Sequence, residues 1–254
     1  MKTESDAVVV VVVIDADNTL YPTSRAAKAG YKALYVYLSE RIGIPATRLK
    51  EEHARIIRRI RKSKNPAMRS KEHSVRLLLS RVLHHHRNRG KSENWETAQT
   101  LADESVRVFW NAVVRELKAA PSSRKVVERL LRDGFCLVIA SDEFLKPLRM
   151  KLEKTLGKKM MDSRGVKMLI TPERTGAMKP SSKYCTMAFR AFNNEVPHDN
   201  FVFVGDSWER DLRFAKELGA RTVLIGDAIE GRPDFFVKNL RNLPQTLKKM
   251  FRTH

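Results

Sequence analysis

The sequence predicts an α/β protein, a parallel sheet wound on both sides, with an all-helical block inserted after the first strand. Three observations predict it. Val8–Ile14 is a continuous β-branched run with no alternation between faces. Roughly a hundred residues of helical periodicity follow without a strand signal. From Pro121 onward, short apolar runs alternate with amphipathic stretches, the pattern of strands joined by crossover helices. A chain of 254 residues with 42% hydrophobic content can bury a sizeable core.

Taken in order, Val8–Ile14 reads as a strand buried on both faces. A helix follows it, with Ser24 as N-cap and Tyr31, Leu34, Tyr35, Leu38 and Ile42 at helical spacing. A second helix after Pro45 sets Leu49, Ile56, Ile57 and Ile60 on one face, and a third carries Val75, Leu78, Leu79, Val82 and Leu83. A fourth, starting near Asn94, carries Leu101, Val108, Phe109, Val113 and Leu117. Turn residues break the run at Gly43-Ile44-Pro45, Asn65-Pro66 and Asn88-Arg89-Gly90. Pro121 ends the block, and Ser122 or Ser123 caps a helix reaching Arg132. Strands are then predicted at Phe135–Ala140, Met168–Ile170, Phe201–Val204, Thr222–Ile225 and Phe235–Val237. Helices are predicted after Phe144, Ser181 and Ser207 and from Leu243. The domain reading is a core of residues 1–20 and 121–254 with a helical insertion at 21–120.

Composition narrows the function classes. The longest apolar run, Ala7–Ile14, is far short of the about 18 residues a membrane helix needs, and no signal peptide is recognisable. Two cysteines, Cys136 and Cys185, both in apolar contexts, exclude a disulfide framework and read as core residues. These features predict a soluble, cytoplasmic protein with no membrane partner. The net charge of +20 is concentrated: Arg41–Lys91 holds 16 Lys or Arg against three acids, 16 − 3 = +13, and the rest of the chain carries +7. Such a field attracts anionic metabolites and polyanions. No aromatic residue interrupts the segment to stack bases, so solvated helix faces are favoured over a nucleic-acid surface. His84-His85-His86 reads as a solvated helix end, because consecutive helical side chains diverge by about 100° and cannot converge on one ion.

Chemistry concentrates where the strands end, the side on which parallel sheets bind ligands. The first strand runs into Asp15-Ala16-Asp17-Asn18-Thr19-Leu20. Unpaired buried carboxylates are costly, so two acids there suit a nucleophile with a proton donor, or metal ligands. The second ends in Ser141-Asp142, where a hydroxyl and backbone N–H groups can hold an anionic oxygen. Lys179 precedes Pro180, which fixes the direction of the chain beside it. Phe201–Val204 leads into Gly205-Asp206-Ser207, with Asp211 five residues after Asp206. Together the acids can bind a hard cation such as Mg²⁺, which takes oxygen ligands, and no His/Cys cluster has zinc spacing.

These four segments, in this order, resemble the four motifs of the haloacid dehalogenase superfamily, over about Val8 to Ile225. The resemblance implies a Rossmann-like core, with the helical block in the place of the family's C1 cap, closing over the site and selecting the substrate. It implies Asp15 as a nucleophile forming an aspartyl-phosphate, and Asp17 as the acid that protonates the leaving oxygen and then activates water. Ser141 and Lys179 would hold phosphoryl oxygens. Mg²⁺ would be bound by Asp15, Asp206 and the main-chain carbonyl of Asp17, and Asp211 would support the metal shell or orient Lys179.

A carboxylate at position 17 favours a phosphatase over the dehalogenating members. One departure is Asp142, where the family more often has Asn; it must turn away from a bound phosphate. The stretch Asp15–Pro22 is most similar to the pyrimidine 5′-nucleotidase-like and phosphoglycolate phosphatase-like branches. The leading expectation is therefore a Mg²⁺-dependent phosphatase acting on a small phosphorylated metabolite. The alternatives are a non-catalytic polyanion-binding protein using the basic segment, and a phosphatase acting on nucleic-acid ends.

Overall fold

The computed structural model describes residues 9–87, 95–161, 165–227 and 231–251. Two compact units divide the chain, one made of the residues up to Pro22 with those from Ala119 onward, the other of Thr23–Lys118.

In the first unit, β1 (Val11–Asp15), β2 (Cys136–Ala140), β3 (Val166–Ile170), β4 (Phe201–Gly205), β5 (Arg221–Ile225) and β6 (Phe235–Val237) form one sheet. All neighbours are parallel, in the order β3-β2-β1-β4-β5-β6. This is the Rossmann-like doubly wound order, and its direction of winding reverses between β1 and β4. The central position of β1 explains its composition. Val11 and Val13 join Phe201 and Phe203 of β4 in one core cluster, while Val12 and Ile14 are buried on the opposite face. Strand β1 begins later than predicted, Val9 is exposed, and Val8 lies outside the described residues.

The second unit contains α1 (Ser24–Ile42), α2 (Ala46–Ile60), α3 (Lys71–Arg87) and α4 (Trp95–Glu116). Helices α1 and α4 pack closely at Gly30, where an added Cβ would lie 2.6 Å from Val113 Cγ2 and 2.8 Å from Phe109 Cε2. The buried face of α2 is Leu49, His53, Ile56 and Ile60, so His53 takes a core position and Ile57 is only half-buried. On α4 the buried stripe is Ala102, Ser105, Phe109 and Val113, with the expected Leu101 and Val108 flanking it half-buried. Ser105 is accommodated because its hydroxyl donates to the Leu101 carbonyl at 2.6 Å. The predicted break at Asn88-Arg89-Gly90 and the start near Asn94 lie outside the described residues. His84 is exposed.

Back in the first unit, α5 (Pro121–Arg132) and α6 (Leu145–Leu156) flank β2, while α7 (Pro172–Thr175) and α8 (Lys183–Arg190) separate β3 from β4. Then α9 (Arg213–Glu217) precedes β5, and α10 (Leu243–Phe251) follows β6. Three local expectations are corrected. Ser24 is the first helical residue of α1, and Thr23 takes the N-cap position. Neither Ser122 nor Ser123 caps α5: Pro121 occupies its first position, Ala120 the N-cap, and the Ser123 hydroxyl donates instead to the Leu20 carbonyl. After Ser207 the chain forms a π-helical turn, Trp208–Leu212, before α9 begins. Helix α7 has a single turn, too short to show periodicity.

Candidate active site

Strand order brings the sequence-predicted residues to one edge. Asp15 ends β1 and pairs with Ala140 of β2, the residue before Ser141. On the other side Ile14 pairs with Val204 of β4, so Gly205 and Asp206 leave the sheet next to Asp15. The acids of two distant sequence segments are thus neighbours because β1 and β4 are.

Lys179 joins them. Its Nζ donates to Asp15 Oδ1 at 2.5 Å and to Asp211 Oδ1 at 2.8 Å, with its side chain only 3% exposed. Burial works against its charge, but the carboxylates of Asp15, Asp211 and Asp142 outweigh burial and hold the ammonium well above the ordinary lysine range. Asp211 reaches this point because it sits on the π-helical turn, packed against Gly205. A Cβ at position 205 would meet Asp211 Cβ at 2.5 Å and Cγ at 2.9 Å, so only glycine fits where β4 delivers the chain to the site. Asp211 Oδ2 also accepts from the Ser207 N–H at 3.3 Å.

Carboxylate oxygens of Asp15, Asp206 and Asp211 lie within 4.8 Å of one another. These three carboxylates and Asp142 share two cations, Lys179 and Arg210, which leaves negative charge uncompensated. Asp15 Oδ2 is buried without a hydrogen-bond partner. Burial raises the Asp15 carboxyl to about 7, against the pull of Lys179 and with added repulsion from Asp211 and Asp17. Asp206 is also raised, by burial and then by the charge of Asp211. An all-oxygen set with an orphaned carboxylate oxygen and surplus negative charge fits a hard divalent cation such as Mg²⁺. The carboxylate of Asp17 is not part of this cluster.

Asp17 instead opens a tight turn. Asn18 N donates to Tyr21 O at 2.8 Å, Leu20 N to Ala16 O at 2.9 Å, and Asn18 adopts φ 67°, a left-handed conformation that asparagine tolerates. Both oxygens of Asp17 accept from Lys151 of α6, at 2.7 and 2.8 Å. Tyr21 is buried, and burial together with the charges of Asp17, Asp15 and Glu143 keeps its phenol protonated.

Ser141 is buried, and its Oγ accepts from the Glu143 N–H at 3.0 Å, leaving its hydroxyl hydrogen available to an anion. Asp142 is turned to structural use. Its Oδ1 accepts from the Lys179 N–H at 2.7 Å, and its Oδ2 accepts from the Arg210 guanidinium at 2.7 Å. The Tyr184 hydroxyl donates to the Ser141 carbonyl at 3.1 Å. The aspartate that departs from the expected pattern therefore fastens the Lys179 backbone.

Lys151, Glu143, Tyr184 and Arg210 do not emerge from the sequence motifs. Lys151 leaves one trace: it interrupts the buried Leu148–Leu152 stripe of α6. Trp208 is half-buried against the sheet's core cluster, a packing residue. Cys185 is buried, which pushes its thiol well above the ordinary range, and Cys136 is half-buried. In the second unit Arg48, Lys50, Arg58, Arg59, Arg61, Lys62 and Lys64 are exposed. Among the described residues, no helix is long and apolar enough to cross a membrane.

This chain is similar to known proteins over most of its length. A curated relative, the ribulose-1,5-bisphosphate 5-phosphatase of Halopiger xanaduensis, is 27% identical over 221 residues, covering 86% of this chain and 85% of the relative. Among solved structures, a 2-haloacid dehalogenase from Pseudomonas syringae pv. Tomato superposes with a TM-score of 0.73 at 24% identity, covering 95% of this chain and 99% of that one. A HAD phosphatase from Thermococcus onnurineus gives 0.68 at 22% identity, covering 94% and 98%. These two show the shared fold. The family model of the haloacid dehalogenase-like hydrolases matches residues 9–219. The chain is an enzyme belonging to the haloacid dehalogenase-like hydrolases.

Proposed function

We propose that this enzyme is a Mg²⁺-dependent phosphatase that hydrolyses a small phosphomonoester through an aspartyl-phosphate on Asp15. The observation that carries the reading is the buried Asp15 carboxylate, one oxygen held by Lys179 and the other without a partner, beside a second acid at position 17. In the first step Asp15 attacks phosphorus as the ester P–O bond breaks, and Asp17 gives its proton to the departing oxygen. In the second, Asp17 takes a proton from water, whose oxygen attacks phosphorus and releases inorganic phosphate and free Asp15. Lys179 and Ser141 supply positive charge and a donor to the phosphoryl oxygens. Asp15 and Asp206, with the main-chain carbonyl of Asp17, would hold Mg²⁺, which supplies counter-charge to the nucleophile and the phosphoryl group when bound. Asp211 positions Lys179.

Asp17 favours phosphoester over carbon–halogen chemistry, since an alkoxide leaving group needs a proton and a halide does not. The name of the Halopiger relative supports the same choice. The helical unit, residues 21–120 in the sequence reading, serves as the cap, and its exposed cations draw anionic substrates to the site. Nucleoside monophosphates and phosphoglycolate are the first substrates to try, with ribulose bisphosphate added because of that relative. The test is turnover of p-nitrophenyl phosphate with Mg²⁺, with EDTA, and by Asp15→Asn. The reading expects loss with EDTA and a fall of roughly 10⁴-fold or more in the variant. Turnover unaffected by Asp15→Asn would overturn it. The polyanion-binding alternative predicts salt-sensitive nucleic-acid binding that survives the same substitution.

A further inference from the structure

Lys151 has no role in the mechanism just described, yet its side chain is 3% exposed in the α/β unit. It stands on α6 between Leu148 and Leu152, both fully buried. Its Nζ lies 2.7 and 2.8 Å from the two oxygens of Asp17 and 3.2 Å from Glu143 Oε2. An ammonium has three N–H donors, and these three contacts use them all. The Tyr21 ring covers another side, its centroid 6.0 Å from Nζ.

Stability alone explains this arrangement poorly. Burying a lysine costs more than an ion pair returns unless the geometry is excellent, and Leu or Met at position 151 would continue the apolar stripe at no such cost. A bidentate grip does something else: it fixes the plane of the Asp17 carboxylate while each oxygen keeps a lone pair free. Glu143, with its side chain 12% exposed, gives the ammonium a second counter-ion, so the buried charge stays compensated whenever Asp17 becomes neutral in the cycle.

We infer that Lys151, braced by Glu143, is a positioning residue that aims the Asp17 carboxyl group at the leaving oxygen of the phosphoester. This rests on the phosphatase reading above. Lys151 itself transfers nothing: the proton passes from Asp17 to the leaving oxygen as the ester bond breaks and the Asp15–phosphorus bond forms.

The inference has a signature in the leaving group. A 2,4-dinitrophenolate departs without a proton, whereas an alkoxide requires one. The ratio kcat/KM reports only the steps through formation of the aspartyl-phosphate, so Asp17's later action on water does not enter it. For Lys151→Met, kcat/KM with glycerol 2-phosphate should fall roughly 10²-fold. That fall should exceed the one with 2,4-dinitrophenyl phosphate by about tenfold or more, the activated ester having no need of the proton. Asp17→Asn should show the same split, and adding Lys151→Met to it should cost little more. Glu143→Gln should show a smaller split in the same direction, and it decides the matter should Lys151→Met not fold. Equal losses on both esters in folded variants would overturn the assignment and make Lys151 a structural residue. A wild-type enzyme that hydrolyses neither ester would overturn the phosphatase reading and this assignment with it.

Discussion

In the α/β unit, Lys151 and Lys179 have side chains 3% exposed, and each meets two carboxylates. In the helical unit, Arg55, Arg76 and Arg81 are 62%, 40% and 43% exposed, and they reach partners across the surface. The first arrangement carries a desolvation cost that surface pairs avoid, so it persists where chemistry requires fixed charge. Among the helical unit's interior polar groups is a histidine kept neutral. His53 is fully buried and accepts or donates only through Nδ1, to the Tyr35 hydroxyl at 3.1 Å. On the proposed mechanism the helical unit supplies only a field and can leave its cations in water, whereas the α/β unit supplies the nucleophile and cannot.

The comparison breaks first at Lys179. Lys179→Met strands Asp15 and Asp211 without their shared cation, and metal-free urea unfolding should show a loss of about 3–5 kcal/mol. Added Mg²⁺ should restore the variant more than it stabilises the wild type, because the carboxylate cluster has then lost the ammonium that Asp15 and Asp211 share. An unchanged unfolding midpoint would mean that the buried pairs are not costly commitments.

His53 comes next. Burial, with a smaller contribution from Lys71, lowers its pKa from 6.5 to about 4. The unfolded chain therefore binds a proton between pH 6.5 and 4 that the folded chain refuses. Stability from this residue is fully present above pH 6.5 and drains away as the pH falls to 4, by about 3 kcal/mol in all. Urea unfolding at pH 7 and pH 4 should show wild type losing more than His53→Leu by that amount; parallel losses would contradict the reading.

What the sequence made legible follows from where each residue sits. Asp15 and Asp206 announce themselves together, because a helix cap accounts for one acid at a strand end but not for two acid-bearing strand ends in one sheet. Their adjacency follows from strand order, and a parallel doubly wound sheet was readable from the alternation of patterns. Lys151 was hidden for the opposite reason. It lies in mid-helix, far from any strand end, and only its intrusion into the Leu148–Leu152 stripe marks it. The use of Asp142 was equally hidden, because its partners Lys179 and Arg210 lie 37 and 68 residues away. The serines at the start of α5 misled because Pro121 already fills the first helical position and leaves one fewer N–H to cap.

A smaller effect sharpens the geometric side of the account. Gly205→Ala places a methyl group 2.5 Å from Asp211 Cβ, an overpacking that should cost about 1–3 kcal/mol and weaken Mg²⁺ affinity by displacing Asp211. Calorimetric unfolding and metal titration read the two consequences separately; a variant that matched wild type in both would show that Asp211 is free to move. The smallest effect belongs to the surface. Arg76→Ala removes an exposed pair with Asp103 and should change stability by no more than about 1 kcal/mol, with the difference vanishing in high salt. A larger loss would erase the contrast between the two units.

The central claim is that phosphorus passes through Asp15. Rapid mixing of enzyme, Mg²⁺ and a hydrolysed phosphomonoester, followed by borohydride quench, reduces an acyl phosphate to an alcohol. Peptide mass spectrometry should then find homoserine at position 15, in wild type and not in Asp15→Asn. Turnover with an unmodified aspartate at position 15, or with the reduction found at another carboxylate, would contradict the account.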